Sequence, residues 1–110
     1  MKPIEKYIEA MENKDYAGLA ELFTPNGILV DYCTTSASQP EYHIYGREAI
    51  NMFFRNKFGF RRYSILDGVV INGHQAEFIA NLAGYNILAI ASVCEIDENG
   101  LINKLTVQPK

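Results

Sequence analysis

Apolar residues in the N-terminal segment recur with the period of a helix. Ile4, Tyr7, Ile8 and Met11 repeat at i, i+3, i+4 and i+7, with Glu5, Lys6, Glu9 and Glu12 on the opposite face, which predicts a helix over about residues 3–13. Asp15 is placed to N-cap a second, short helix carrying Tyr16, Leu19, Ala20, Leu22 and Phe23, and Pro25-Asn26-Gly27 is expected to stop it. Gly27–Cys33 reads as a strand with one charge, Asp31, among apolar neighbours. Thr34–Pro40 is small, polar and aperiodic, a loop leading into the aromatic segment Tyr42-His43-Ile44-Tyr45, which Gly46 ends. Ile50, Phe53, Phe54 and Phe58 then return to helical spacing, giving a third helix over Arg47–Phe58 that stops at Gly59.

From Phe60 onward the pattern is that of strands: Arg61–Ile71, Gln75–Ala83, Asn86–Ile96 and Leu101–Gln108, separated by turns at Asn72-Gly73, Gly84-Tyr85 and Asp97–Gly100. Helices followed by an antiparallel meander, with no repeat or linker, predict one α+β domain over residues 1–110. The expected architecture is a curved antiparallel sheet wrapped by three N-terminal helices into a cone with one internal pocket. Two strands, Gly68–Ile71 and Ile87–Cys94, are near-continuously apolar, whereas a sheet with one wet face should alternate. The helices cover one face; a homodimer through the outer sheet face is the simplest cover for the other.

Composition narrows the function classes. A net charge of −3 supplies no field for phosphate backbones or anionic lipid, so neither nucleic acid nor a membrane is an expected partner. The opening MKPIEKYIEAM lacks an apolar signal region, and no apolar run reaches spanning length. Cys33 and Cys94 lack CxxC spacing, which fits a reducing cytoplasm and leaves a single bridge open. No HExxH, Gly-rich phosphate loop or GxSxG elbow occurs, so no metal or cofactor is expected.

Chemistry is expected around Asp31. The period of two puts Leu29, Asp31 and Cys33 on one face of their strand. If the helices lie over that face, Asp31 enters an apolar cavity where desolvation makes it a usable base; the alternative is an aspartate bonded to backbone at the strand end. Tyr7 lies on the apolar stripe of helix one, so its hydroxyl needs a partner, either the pocket or a backbone carbonyl. His43 and Tyr45 belong to an aromatic extension that would close over the pocket mouth. His43 would serve there as a second acid or base, or simply face solvent. Met11, Phe53, Phe54 and Phe58 are candidates for the pocket lining, or for plain core. The cluster Phe58-Gly59-Phe60-Arg61-Arg62-Tyr63 is read as a strand start and His74 as a hairpin residue.

The order of elements and the stretch EKYIEAMENKDYAGLAELFTPNGILVDY, with Gly46-Arg47-Glu48 opening helix three, resemble the nuclear-transport-factor-2-like superfamily, in particular its SnoaL-like and ketosteroid isomerase members. The resemblance implies a cystatin-like α+β barrel. It also implies a base at Asp31 and an oxyanion donor at Tyr7, the pairing needed for proton abstraction beside a carbonyl; ketosteroid isomerase is itself a worked case of that chemistry. The protonated acid that completes that family's oxyanion hole falls, counting back from Asn99-Gly100, near Ser92. A serine hydroxyl is a weaker donor, so a substrate other than a steroid is expected. Two readings follow. One is a cofactor-free isomerase or lyase acting on a small apolar carbonyl compound; the other is a non-catalytic ligand-binding or dimerisation module.

Overall fold

The computed structural model describes residues 1–110, the side chains at 36 and 37 excepted. Among these, the chain forms α1 (Pro3–Glu12), α2 (Tyr16–Glu21), β1 (Phe23–Asp31), a 3-10 helix (Cys33–Ala37), β2 (Tyr42–Tyr45), α3 (Arg47–Phe60), β3 (Tyr63–Val70), β4 (Gln75–Leu82), β5 (Tyr85–Ile96) and β6 (Ile102–Pro109). Pro3 opens α1, where a missing N–H costs nothing, and the Lys2 amide donates to Glu5 Oε1 at 2.8 Å. Asp15 caps α2 as expected, its Oδ1 accepting from the Gly18 amide at 3.0 Å. Among the described residues no helix is long and apolar enough to cross a membrane.

The six strands form one curved, open sheet in the order β2-β1-β6-β5-β4-β3. The meander β3–β6 and the β1–β2 pair are antiparallel, but β1 and β6 run parallel, so the sheet is mixed rather than antiparallel. Residue alternation is the same in either direction and carries no sign of it. Helices α1 and α3 lie across the concave face, α1 against β3, β4 and β5, α3 against α2, β1 and β2. Beneath them lie the fully buried Tyr7, Phe23, Phe54, Phe78, Met11 and Leu105.

Several boundaries differ from the sequence reading; among them β1 ends at Asp31, with Cys33 already in the 3-10 helix, and β3 begins only at Tyr63. Helix α2 ends at Glu21, and Phe23 already belongs to β1, pairing with Ile102. Pro25-Asn26-Gly27 therefore does not stop a helix; it lies in β1, where the pairing with β6 shifts register between Phe23 and Ile28. At Gly27 a Cβ would approach the Ile102 carbonyl oxygen to 2.9 Å, so the two backbones meet only because no side chain stands there. Helix α3 continues past Gly59 to Phe60.

Two contacts fix α3 over the open end of the sheet. Gly46 takes a φ of +95°, a conformation that favours glycine, and its amide donates to the Gly27 carbonyl at 2.7 Å. Arg47 then donates from Nε and Nη2 to the Phe23 carbonyl at 2.9 and 2.6 Å. Gly46-Arg47 thus ties the start of α3 to the irregular start of β1, and the helix holds its inner face over Asp31.

Candidate functional site

Asp31 is the last residue of β1, between Tyr42 of β2 and Val107 of β6. The alternation of the strand turns Leu29 and Asp31 inward together, and Asp31 is the one charged residue fully within the interior among those described. It opens onto a cavity of about 500 Å³. Ile44, Phe53, Tyr63, Ala80, Leu82 and Ile87 supply the apolar wall; Gln39, Glu41, His43, Asn56 and Arg61 are exposed and form a polar rim, with Thr34 and Tyr42 between them. An apolar wall with a few inner polar groups and a polar rim is the usual make-up of a small-molecule site.

Among the described residues the carboxylate has two partners. Its Oδ1 accepts from the Cys33 amide at 2.9 Å, and its Oδ2 lies 3.2 Å from Lys57 Nζ. Lys57 comes from the inner face of α3, with a side chain 14% exposed; its ammonium stands 4.2 Å from the centre of the Tyr63 ring and 4.9 Å from that of Phe53. A lone carboxylate buried this deeply would be costly, and the ammonium and the amide offset that cost. The expected desolvated base is therefore a member of a half-buried ion pair.

Three neutral acids surround that pair. Burial, with Tyr63, Asp31 and Cys33 adding to it, raises the Tyr7 hydroxyl well above the usual phenol range. Burial, and then the Asp31 charge with Cys33 adding to it, raises Tyr63 as well. Burial and the Asp31 charge push the Cys33 thiol up to about 12, against a smaller opposite pull from Lys57. Both phenols are thus uncharged hydrogen-bond donors at any ordinary pH, and Cys33 is a neutral thiol rather than a nucleophile.

Of the residues expected in the site, Asp31, Cys33 and His43 line the cavity. Tyr7, Met11, Phe54 and Phe58 do not: the first three are fully buried core residues and Phe58 is partly buried against them. Phe54 meets Tyr7 edge-on at 6.5 Å and Phe53 at 5.2 Å, so the cavity wall is Phe53 and the layer behind it is Phe54. Tyr45 is 64% exposed and stacks on His43 at the rim; Ile44, its neighbour on the other face of β2, is the residue turned inward. His43 itself lies 3.5 Å from Glu41, whose carboxyl its own backbone amide and then His43 hold below the usual range.

Ser92 is corrected outright. Ala91 and Val93 face the core, while the Ser92 hydroxyl lies on the outer sheet face and accepts from Gln75 Nε2 at 3.0 Å. A register shift between Val93 and Glu95 separates Ser92 from the Asn99-Gly100 turn, so alternating positions counted back across it emerge on the wrong face. The inner residue there, Ala91, has no polar side chain. Lys57 and Tyr63 went unread in the sequence, although Lys57 falls on the same helical stripe as Phe53 and Phe54.

No family model matches the chain, and no curated relative is similar to it in sequence. Its fold is widely shared among solved structures. A SnoaL-like protein of unknown function from Burkholderia thailandensis E264 superposes with a TM-score of 0.65 at 10% identity, over 96% of this chain and 89% of that one. A protein from Kribbella flavida DSM 17836, provisionally named a ketosteroid isomerase, gives 0.68 at 15% identity over 98% and 75%. The Orange Carotenoid Protein of Anabaena (Nostoc) sp. PCC 7120, solved with canthaxanthin, gives 0.64 at 18% identity; the match covers 97% of this chain and 35% of that protein. Other matches are described as having a cystatin-like fold. The chain thus has the open α+β, cystatin-like fold of these structures. Fold alone does not carry an activity.

Proposed function

We propose that the protein binds a small, mainly apolar carbonyl compound in the 500 Å³ cavity and moves a proton beside that carbonyl, with Asp31 as the base. The observation that supports this reading is the interior carboxylate at the cavity wall, hydrogen-bonded by the Cys33 amide and 3.2 Å from Lys57 Nζ. Tyr63 lines the cavity and is the neutral donor assigned to the carbonyl oxygen, whereas Tyr7 does not line it. Tyr7 serves instead as a buried support for Phe54. The kinship of fold with a provisionally named ketosteroid isomerase is in keeping with this chemistry.

The test does not need the natural substrate. Cyclic ketones and enones incubated with the protein in deuterated water should exchange hydrogen beside the carbonyl, followed by nuclear magnetic resonance. Asp31→Asn should slow that exchange by about 100-fold or more, the usual contribution of a positioned general base. Exchange that persists unchanged in Asp31→Asn would end the assignment.

A second reading, a ligand-binding module without turnover, is favoured by the Lys57–Asp31 bond, because a carboxylate already paired with a cation is a weaker base. The Orange Carotenoid Protein, about a third of which shares this fold, binds canthaxanthin, an apolar ligand. Binding of ketones without any exchange would select this reading.

We further propose a homodimer through the outer sheet face, where Leu66, Ile79 and Leu88 stand side by side across β3, β4 and β5, and a reducing cytoplasm as the site of action, in keeping with two unpaired cysteines. Sedimentation at micromolar concentration should give twice the chain mass, and Leu88→Glu should halve it.

A further inference from the structure

The proton transfer just described leaves one interior charge without a part. Lys57 Nζ has three N–H donors, of which Asp31 Oδ2 takes one at 3.2 Å. The rings of Tyr63 and Phe53, 4.2 and 4.9 Å away, hold the ammonium by its charge while taking no conventional hydrogen bond from it. Asp31, Lys57, Phe53 and Tyr63 all line the same cavity, so a bound carbonyl oxygen has access to the ammonium that neutralises the base.

We propose that Lys57 is a catalytic residue that exchanges counter-ions during the reaction: its ammonium pairs with the Asp31 carboxylate in the resting site and with the enolate oxygen once Asp31 has taken the proton. This rests on the reading of Asp31 as the base. The C–H bond beside the carbonyl breaks, an O–H bond forms on Asp31, and the electron pair left on carbon spreads onto the carbonyl oxygen. Before the step the site holds one carboxylate and one ammonium; after it, a neutral acid, an oxyanion and the same ammonium. Return of the proton to a second carbon gives the isomer and restores the ion pair, and no oxidant, metal or second substrate is needed.

The arrangement favours the transition state over the ground state. While Asp31 is charged it competes for the ammonium, so a neutral carbonyl gains little from Lys57. As negative charge leaves the carboxylate and grows on the substrate oxygen, the attraction passes to the substrate inside a pocket that screens it poorly. The other charged or titratable groups around the pair among the described residues are Cys33 after β1, Tyr63 on β3, Tyr7 on α1, Tyr42, His43 and Glu41 at β2, and Arg61 at the end of α3. Among them Arg61 is a cation, but it is an exposed rim residue.

The decisive comparison is Asp31→Asn against the double variant Asp31→Asn/Lys57→Met, probed with 4-nitrophenol, whose phenolate mimics an enolate and absorbs apart from the phenol. Asp31→Asn reproduces the neutral acid and leaves the ammonium without a counter-ion. It should bind the phenolate about tenfold or more tighter than the wild type does, and lower the pH at which the bound probe ionises. The double variant should lose that preference while still binding the neutral phenol at low pH. Neither protein contains an unpaired interior carboxylate, so both should fold. Equal phenolate binding by the two would overturn the role of Lys57 and leave the pocket reading standing. If no protein in the set, wild type included, binds the phenol or a cyclic ketone, the pocket reading fails and this proposal fails with it.

Discussion

The interior of this molecule has two ends built from the same kinds of residue. Beneath α1 and α2, Ile4, Tyr7, Met11, Leu19 and Phe23 fill the space against the sheet. Beneath the far half of α3, aromatic and aliphatic side chains of equal bulk stand around a hollow of about 500 Å³. The difference comes from what faces the sheet. At the filled end two helices contribute side chains to one volume, whereas at the hollow end one helix spans the gap and its inner positions include Lys57, which cannot be packed away. Filling gives the first end its cohesion; the second end holds a charge pair at the wall of its hollow.

The strongest way to break that contrast is to cut one large residue from each end. Phe23→Ala removes a fully buried ring from the filled end and should cost about 4 kcal/mol, lowering the melting temperature by roughly 15 °C or more. Leu82→Ala at the cavity wall, where the side chain is only partly buried, should cost below about 1.5 kcal/mol. Denaturant titration of the two variants checks the pair. Equal losses would mean that the hollow end carries as much of the stability as the filled one.

The next largest effect belongs to the ion pair. Lys57→Met leaves Asp31 buried with the Cys33 amide as its remaining hydrogen-bond partner among the described residues, and should destabilise by about 3 kcal/mol. Asp31→Asn/Lys57→Met, which removes both charges, should recover half or more of that loss. Recovery is the informative part, because it separates the cost of an orphaned charge from the loss of the lysine's packing.

How much of this contrast was legible in the sequence depends on the residue. The helical stripe Ile4, Tyr7, Ile8, Met11 and the cap at Asp15 state the filled end directly, because period and burial coincide there. Asp31 announced itself as one charge in an apolar strand. Lys57 gave the same signal, a charge on the stripe of Ile50, Phe53 and Phe54, and the two lone charges of opposite sign were a pair waiting to be matched. What local pattern cannot give is direction and register. The parallel β1–β6 pairing depends on the whole chain, and the shift between Val93 and Glu95 put Ser92 on the wrong face. Tyr7 was placed correctly in the interior, but whether Phe54 or the cavity lies beside it is a matter of a few ångströms that no periodicity encodes.

Where the two ends meet, Tyr7, Tyr63 and Cys33 make the fold sensitive to alkali. All three acids are harder to ionise in the folded chain, chiefly because of burial. Their contribution is fully present below the unfolded values of 9.0 for the thiol and 10.0 for the phenols, and is lost as pH rises from there toward about 12 and beyond. The denaturation midpoint should therefore be flat between pH 7 and about 9 and fall steadily above it. Tyr63→Phe should reduce the slope of that fall. A midpoint that held to pH 11 would mean that these groups are open to water, and the boundary between the two ends would have to be redrawn.

The smallest effect is also the sharpest on where the interior begins, because it perturbs no contact. Cys33 and Cys94 are both free, but Cys33 is buried beside Asp31 with its thiol raised to about 12, whereas Cys94 is exposed on the outer face of β5. A thiolate is the species that reacts, so a charged aromatic disulfide reagent at pH 8 should modify Cys94 promptly and Cys33 only on the timescale of unfolding. Cys94→Ser should abolish the fast phase and leave the slow one. A small uncharged alkylating reagent distinguishes solvent access from acidity: it fits the cavity, so if Cys33 stays slow toward it as well, the barrier is the neutral thiol held beside a carboxylate rather than a closed wall. A fast reaction of Cys33 with that reagent would instead place an ionised sulfur in the pocket, and the charge balance of the Asp31–Lys57 pair would have to include it.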